Sequence, residues 1–271
     1  MLTLDIAIAT YKSEGISKIE ELLLPPIDNV RYIISWQQHE NAPIPDSILK
    51  RDDVSVSRID QPGLSNNRNN SFRHGAGDII LVADDDIDYN AEGIKSLIKA
   101  FEENPEMDAA IVKIDLNNKK KYPSDGTIIG VPFPKGYFCN SPEIAIRRDK
   151  INDLQFYPKL GLGSKDMWAG EEELFLVSAI KRGLKIRFLD IEIGVHSAES
   201  TGDKVNPGIL RGQGFVISAI YPWSFLLRIP LKALRLKKSG KSSLFKSAFY
   251  LYSGSMKKIL TWHKIPKCYR W

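Results

Sequence analysis

Short apolar runs alternate with amphipathic segments along the first half of the chain, and the alternation predicts elements in a fixed order. Leu4–Ala9 reads as a buried strand, and Ser13–Leu24 as a helix ended by Pro25-Pro26. Arg31–Ser35 and Val54–Ile59 read as strands, with Leu64–His74 a helix that carries polar residues along one face. Ile79–Ala83 is a short β-branched run, Ala91–Asn104 a helix stopped before Pro105, and Ala109–Ile114 a further strand. Strand and helix in alternation, with connections this short, predict right-handed crossovers and an α/β fold with a mostly parallel central sheet flanked by helices.

From about Leu116 the pattern loosens. Asn117–Tyr122 is a lysine-rich polar loop and Glu143–Arg148 alternates like a strand. Residues 156–170 form a Gly-rich loop, and Glu171-Glu172-Glu173 opens a helix through Leu174–Arg182 that Gly183 closes. Lys185–Leu189 and Glu192–Val195 read as two short strands, with His196 at the end of the second and a polar loop, Ser197–Gly202, after it.

Charge changes this picture. The 271 residues carry a net +5, but residues 1–203 hold all 33 acids against 24 basic residues, a balance of −9, while residues 204–271 hold 14 basic residues and no acid. The split predicts an acidic catalytic body over residues 1–203 and a basic, aromatic, helical extension over 204–271; within the body, the strand–helix alternation of residues 1–115 is that of a nucleotide-binding half, distinct from residues 116–203. The apolar run Phe215–Leu227, interrupted by Pro222 and followed by Arg228, Lys232, Arg235, Lys237, Lys238 and Lys241, is too short to span a bilayer. It suits a segment lying in the interface of an anionic membrane, through residues 211–271; the alternative is a packed C-terminal helix with a solvated basic face. No nucleic-acid-binding motif is present, so a nucleic-acid partner is not expected. Two cysteines, Cys139 and Cys268, are too few for a disulfide framework, and a strand with Asp5 at the start argues against a signal peptide, so a cytoplasmic setting is expected.

Three groups of residues carry candidate chemistry. Asp84-Asp85-Asp86 follows the Ile79–Ala83 strand, where open α/β sheets place their ligands, and crowded carboxylates are offset most simply by a divalent metal such as Mg²⁺ or Mn²⁺. The bland alternative is an acidic turn before a helix near Asn90. Asp84, Asp86, Asp88 and Asn90 alternate like the start of an EF-hand loop, but Tyr89 and Lys95 stand where that loop needs glycine and glutamate. Glu171–Glu173 suits the positive end of a helix dipole, and a glutamate there could instead act as general base on a sugar hydroxyl. His196, after a strand, offers an imidazole as a further metal ligand. No GxGxxG or Walker sequence is present, so phosphates need another binder.

These pieces together resemble the family 2 glycosyltransferases of GT-A fold, over roughly residues 4–202. The resemblance rests on Ala9-Thr10-Tyr11, on Gly63-Leu64-Ser65-Asn66-Asn67-Arg68-Asn69, on Gly77–Asp86 and on Gly170-Glu171-Glu172-Glu173-Leu174-Phe175. The later part, with Gly161-Leu162-Gly163, looks like bacterial transferases that build surface polysaccharides. The resemblance implies that Thr10 and Tyr11 lie against the base and ribose of a nucleotide-sugar, a UDP- or GDP-sugar, and that Arg68 faces the nucleotide or its diphosphate. It implies that Asp84 lies toward the ribose and metal, that Asp86 binds the metal, with His196 a further ligand, and that Asp85 stands beside the nucleotide as a structural neighbour. Glu172 falls at the position of the general base, with Glu171 its rival.

Where the family commonly has Asp-Asp-Gly-Ser after its second strand, this chain has Ser35-Trp36-Gln37-Gln38, leaving Gln37 or Gln38 to hydrogen-bond the base or Trp36 to stack on it. The implied reaction is inverting transfer of a sugar to a hydroxyl of a glycan, carried on a polyprenyl lipid, at the inner face of a bacterial cytoplasmic membrane. A nucleotidyltransferase of related fold and an inactive sugar-nucleotide-binding relic are the alternatives.

Overall fold

Alternate residues of the first strand, β1 (Leu4–Tyr11), turn Leu4, Ile6 and Ile8 to one face and Asp5, Ala7 and Ala9 to the other, and covering these unlike faces organises the sheet. The structure is a computed structural model that describes residues 1–40, 42–115, 120–196 and 205–270. The chain forms two compact units. One holds Met1–Pro62, Asn67–Leu154 and the described chain from Ala179 to His196; the other holds Gly63–Asn66, Gln155–Ser178 and the C-terminal helices.

The first unit contains an eight-stranded sheet. After β1 come β2 (Val30–Gln37), β3 (Val54–Ile59), β4 (Ile79–Asp84), β5 (Ile87–Tyr89), β6 (Ala109–Asp115), β7 (Ile144–Arg147) and β8 (Ile186–His196). Their spatial order is β3-β2-β1-β4-β7-β6-β8-β5. β1 pairs in parallel with β2 and β4, β2 with β3, and β6 with β8, while β7 and β5 are antiparallel to their neighbours. The predicted parallel sheet is therefore a parallel half, β3-β2-β1-β4, continued by a mixed one. The order reverses at β1, and the crevice at the C-terminal ends of β1 and β4 is where such sheets bind ligands.

Two helices cover the apolar face. α1 (Lys12–Leu22) contributes Ile16 and Ile19. Two short helical segments follow in the chain, α2 (Asp46–Leu49) and α3 (Leu64–His74). α4 (Ala91–Glu103) contributes Ile94, Leu97, Ile98 and Phe101, and Asn90 caps it by accepting a hydrogen bond from the Gly93 N–H at 2.6 Å. These side chains share one core with Leu4, Ile6, Ile8, Tyr32, Ile34, Trp36, Leu81 and Val112.

The opposite face is polar. Asp5, fully buried, accepts hydrogen bonds from Arg31 at 2.7 Å, Arg148 at 2.7 Å and the Gly77 N–H at 2.6 Å. The α3 residues of this unit meet the sheet with amides: Asn70 donates to the hydroxyls of Ser35 (2.8 Å) and Ser57 (2.9 Å), and Asn67 to the Thr10 carbonyl (2.8 Å). The helix predicted to show polar residues on one face is thus buried through those residues.

Other expectations are corrected. The two short strands predicted over 185–195 are one strand, β8, whose pairing with β6 shifts register after Ile111 and again after Lys113, which interrupts the apolar pattern. The predicted Glu143–Arg148 strand begins only at Ile144, because Glu143 ends a 3-10 turn (Ser141–Glu143) and is fully buried. Its carboxylate accepts from Lys120 (2.5 Å) and Tyr122 (2.8 Å), so the end of the predicted Asn117–Tyr122 loop is interior; Asn117, Asn118 and Lys119 lie outside the described residues. The Ser197–Gly202 loop also lies outside them.

The second unit takes the N-terminal part of α5 (Glu171–Lys181) together with α6 (Pro207–Ile220), α7 (Phe225–Lys238) and α8 (Leu244–Thr261). α6 and α8 approach backbone to backbone. A Cβ on Gly214 would overlap the Leu251 carbonyl, and one on Gly254 the Arg211 carbonyl. Phe215, Val216 and Ala219 are buried with Tyr157, Leu160 and Leu174. The Phe215–Leu227 run is therefore not one membrane-facing segment: its α6 part is core, and only the residues from Pro222 onward include exposed apolar side chains. Among the described residues no helix is long and apolar enough to cross a membrane.

Candidate active site

The acidic triplet sits at the topological switch point. Asp84 ends β4, level with Ala9 of β1, and Asp85 and Asp86 form the turn into β5. Each carboxylate has a different partner. Arg68 of α3, almost wholly buried, forms an ion pair with Asp84 at 2.8 Å. Thr10, also buried, donates its hydroxyl to Asp85 at 2.5 Å. Asp86 stands 3.2 Å from His196 Nε2, which β8 delivers by pairing with Ile87.

Burial raises the Asp85 carboxyl above the usual range, with the Thr10 hydrogen bond opposing and Asp84 adding to the rise. Asp86 is raised by burial and by the charge of Asp84, and His196 opposes. Tyr89, buried just beyond, is held well above its ordinary value by burial and by Asp84 and Asp86.

Gly15 makes the Thr10–Asp85 contact possible. A Cβ there would overlap the Thr10 hydroxyl and come within 2.7 Å of Asp85 Oδ2. Sequence reasoning missed this glycine, and also Asn67, whose side chain holds the Thr10 carbonyl while its Oδ1 is buried with no hydrogen-bond partner among the described residues. The only local signal for Asn67 was the amide-rich run of α3.

Of the residues expected to recognise the base, Tyr11 and Gln38 are exposed, at the ends of β1 and β2. Trp36 is fully buried and donates its indole N–H to the Lys12 carbonyl at 2.8 Å, so it cannot stack on a ligand. Gln37 is buried as well, with its amide on the Gln61 carbonyl. Being consecutive on β2, they point to opposite faces, Trp36 into the apolar core and Gln37 to the polar face, and the local sequence gave no warning that either is buried.

The three expected metal ligands, Asp84, Asp86 and His196, do not form one donor group. Among the described residues no group of three or more His, Cys, Asp or Glu is arranged to hold a metal ion. Asp84 is turned to Arg68, leaving Asp86 and His196 as the adjacent donors. One carboxylate and one imidazole, both partly accessible, fit a hard divalent ion that takes its other ligands from water and phosphate oxygens.

The glutamates belong to the second unit. Gly170, at φ +93°, starts α5, and a Cβ there would crowd Val216, so both backbone and space require glycine. Glu171 is buried with its carboxyl against Gly161, and Glu172 is half-buried. Glu173 is raised by burial, with Lys232 of α7 opposing and Glu171 adding to the rise. Its electrostatic partner is therefore on α7, a relationship the sequence did not signal.

A parallel β3-β2-β1-β4 half-sheet with carboxylates at the end of β4, joined to a mixed half, is the architecture of a GT-A glycosyltransferase. The profile of glycosyl transferase family 2 matches residues 38–176, just over half of the chain, and the chain belongs to that family. Its fold is similar to the crystal structure of S. aureus TarS 1-349, with 14% identity, TM-score 0.60, and 97% of this chain and 92% of that one covered. The same fragment in complex with UDP-GlcNAc gives 15% identity and TM-score 0.61 over the same shares. Against a longer TarS structure this chain spans 44% of the other's length, with 89% of its own covered, 15% identity and TM-score 0.61. No curated protein matches the sequence.

Proposed function

We propose that this glycosyltransferase moves a sugar, with inversion, from a UDP-sugar to a hydroxyl of a lipid-linked glycan in bacterial surface-polysaccharide synthesis. The observation that carries the reading is the Asp86–His196 pair at 3.2 Å beside the Asp84–Arg68 pair, at the crevice where this sheet order binds ligands. The UDP donor is favoured by the similar fold of TarS, which was crystallised with UDP and with UDP-GlcNAc.

In this reading Tyr11 and Gln38 meet the uracil and ribose, Thr10 and Asp85 fix the strand end beneath them, and Arg68 and Asp84 lie toward the diphosphate. Asp86 and His196 would hold a divalent cation, Mg²⁺ or Mn²⁺, which would supply charge neutralisation for a departing diphosphate. Glu172 accepts the proton of the acceptor hydroxyl as that oxygen attacks the anomeric carbon from the face opposite the diphosphate; the carbon–oxygen bond to the diphosphate breaks and UDP leaves. Residues 1–203 serve as the catalytic domain and 204–271 as a basic extension that keeps the enzyme at the inner face of the cytoplasmic membrane.

The test is transfer from UDP-sugars with Mn²⁺, after a thermal-shift screen has selected the donor. Asp86→Ala should abolish transfer. Glu172→Gln should keep the donor-induced thermal shift and lose transfer; the same behaviour in Glu171→Gln, with Glu172→Gln active, would move the base by one residue. Normal turnover by Asp86→Ala would sink the site.

A further inference from the structure

α7 divides into three stripes. Ile229 and Ala233 are fully buried among the helices. Leu226, Leu227 and Leu231 are more than half exposed, and Trp223 just before the helix is almost wholly so. Arg228, Lys232 and Arg235, at helical spacing, form the third stripe beside the apolar one.

This cationic stripe borders a cavity of about 550 Å³, whose walls include Tyr221, Arg228, Leu231, Lys232, Arg235 and Lys241. Arg228 is already oriented. Its guanidinium lies 3.6 Å over the Tyr221 ring and Nε donates to the Ser224 hydroxyl at 3.0 Å, which occupies one of five N–H donors. The Lys232 ammonium is pushed down by burial, with Glu173 opposing and Arg235 adding to the fall, so the cations crowd one another. Residues 204–271 contain no acid, and the carboxylate that acts on this stripe is Glu173 of α5, at Lys232, so the stripe keeps a net positive charge. A pocket that pairs concentrated positive charge with an exposed apolar stripe matches one chemistry, a phosphate carried on a hydrocarbon chain.

We propose that this cavity seats the phosphate of an isoprenyl-phosphate-linked acceptor, with the lipid chain lying along Leu226, Leu227 and Leu231. The inference rests on the reading that the acceptor is lipid-borne, and assigns the lipid recognition to α7. Trp223 then enters the headgroup layer, and the enzyme selects its acceptor by the carrier as well as by the glycan.

The experiment is co-flotation of the full chain with phosphatidylcholine vesicles containing a long-chain isoprenyl phosphate. The wild type should float with these, and neither with phosphatidylcholine alone nor equally well with phosphatidylglycerol vesicles of the same charge; inorganic phosphate should not compete. Arg228→Gln with Arg235→Gln should weaken binding about twenty-five-fold, at about fivefold for each cation, and the Lys pair at these positions should restore most of it. Unchanged binding by the Gln pair, or equal binding to phosphatidylglycerol, would overturn the proposal.

The thermal shift with a UDP-sugar is read in parallel, and the Gln pair should keep it at the wild-type size. A wild type that binds isoprenyl phosphate but no UDP-sugar would refute the donor reading and leave this site standing. Binding of the donor without the lipid phosphate would do the reverse.

Discussion

Arg68→Met removes the ion pair that joins α3 to the acidic strand end. The ion pair with Asp84 spans 2.8 Å, with the Arg68 side chain 3% exposed and that of Asp84 29% exposed. At an effective dielectric near 20 the gross attraction at that distance is about 6 kcal/mol. Burying the guanidinium cancels much of it, so the intact pair contributes little net stability. Removing one partner is different, because it strands a half-buried carboxylate beside Asp86. Fully buried pairs lose about 3–5 kcal/mol on such a deletion, and water reaching Asp84 reduces the figure here to about 2–3 kcal/mol.

Urea unfolding should record that loss for Arg68→Met, and the double variant with Asp84→Asn should recover at least about 1 kcal/mol relative to additivity. A second readout concerns the ligand. If Arg68 also meets the diphosphate, UDP with Mn²⁺ should raise the melting temperature of Arg68→Met less than that of the wild type. An Arg68→Met variant within about 0.5 kcal/mol of wild type, or strict additivity in the double variant, refutes the reasoning.

Gly15→Ala should cost about 1–3 kcal/mol and lower donor affinity, since its methyl displaces the Thr10 hydroxyl from Asp85; wild-type donor affinity in nucleotide titrations would show that the contact does not set the strand end. Gly254→Ala should destabilise the helical unit by about 2 kcal/mol, although alanine is the better helix former by about 1 kcal/mol, because its Cβ meets the Arg211 carbonyl; a rise in the urea midpoint would refute the close approach of α6 and α8. Asp53 is held below the ordinary carboxylate range, first by the hydrogen bond from Arg51. The unfolded chain therefore takes up the proton first as pH falls, so this stabilisation is present above about pH 4 and lost below it. Asp53→Asn should accordingly be less stable than wild type at pH 6, and the gap should narrow on acidification in pH-dependent unfolding; a constant gap would contradict the sign.

The strands and amphipathic helices were legible because burial on one face imposes a period that any window of residues reveals. Val54–Ile59 and Leu64–His74 have the predicted bounds. What stayed hidden is burial achieved by partners rather than by hydrophobicity. α3 reads as a polar helix, yet Ser65, Asn67, Arg68, Asn69, Asn70 and Ser71 are all buried. Asn70 finds its acceptors on β2 and β3, and no local pattern announces Ser35 or Ser57. Lys120 and Glu143 form a buried ion pair across 23 positions for the same reason. In the C-terminal region the apolar run hid a partition: Phe215, Val216 and Ala219 pack against Tyr157, Leu160 and Leu174, partners that lie far away in sequence.

The triplet shows where this limit matters for chemistry. From the sequence, three adjacent carboxylates share one problem, mutual repulsion, and a metal answers it. In the fold they have three separate answers, from residues 16, 75 and 110 positions away: Arg68 for Asp84, Thr10 for Asp85 and His196 for Asp86. Two of these are met by the protein itself, one with a full positive charge and one with a donated hydroxyl. Crowding alone thus no longer calls for a cation across the whole triplet. The case for one narrows to Asp86 and His196, whose donor chemistry suits a divalent ion that a diphosphate completes. That makes donor and metal binding interdependent: Mn²⁺ alone should shift the melting temperature little, UDP alone modestly, and the two together by more than the sum.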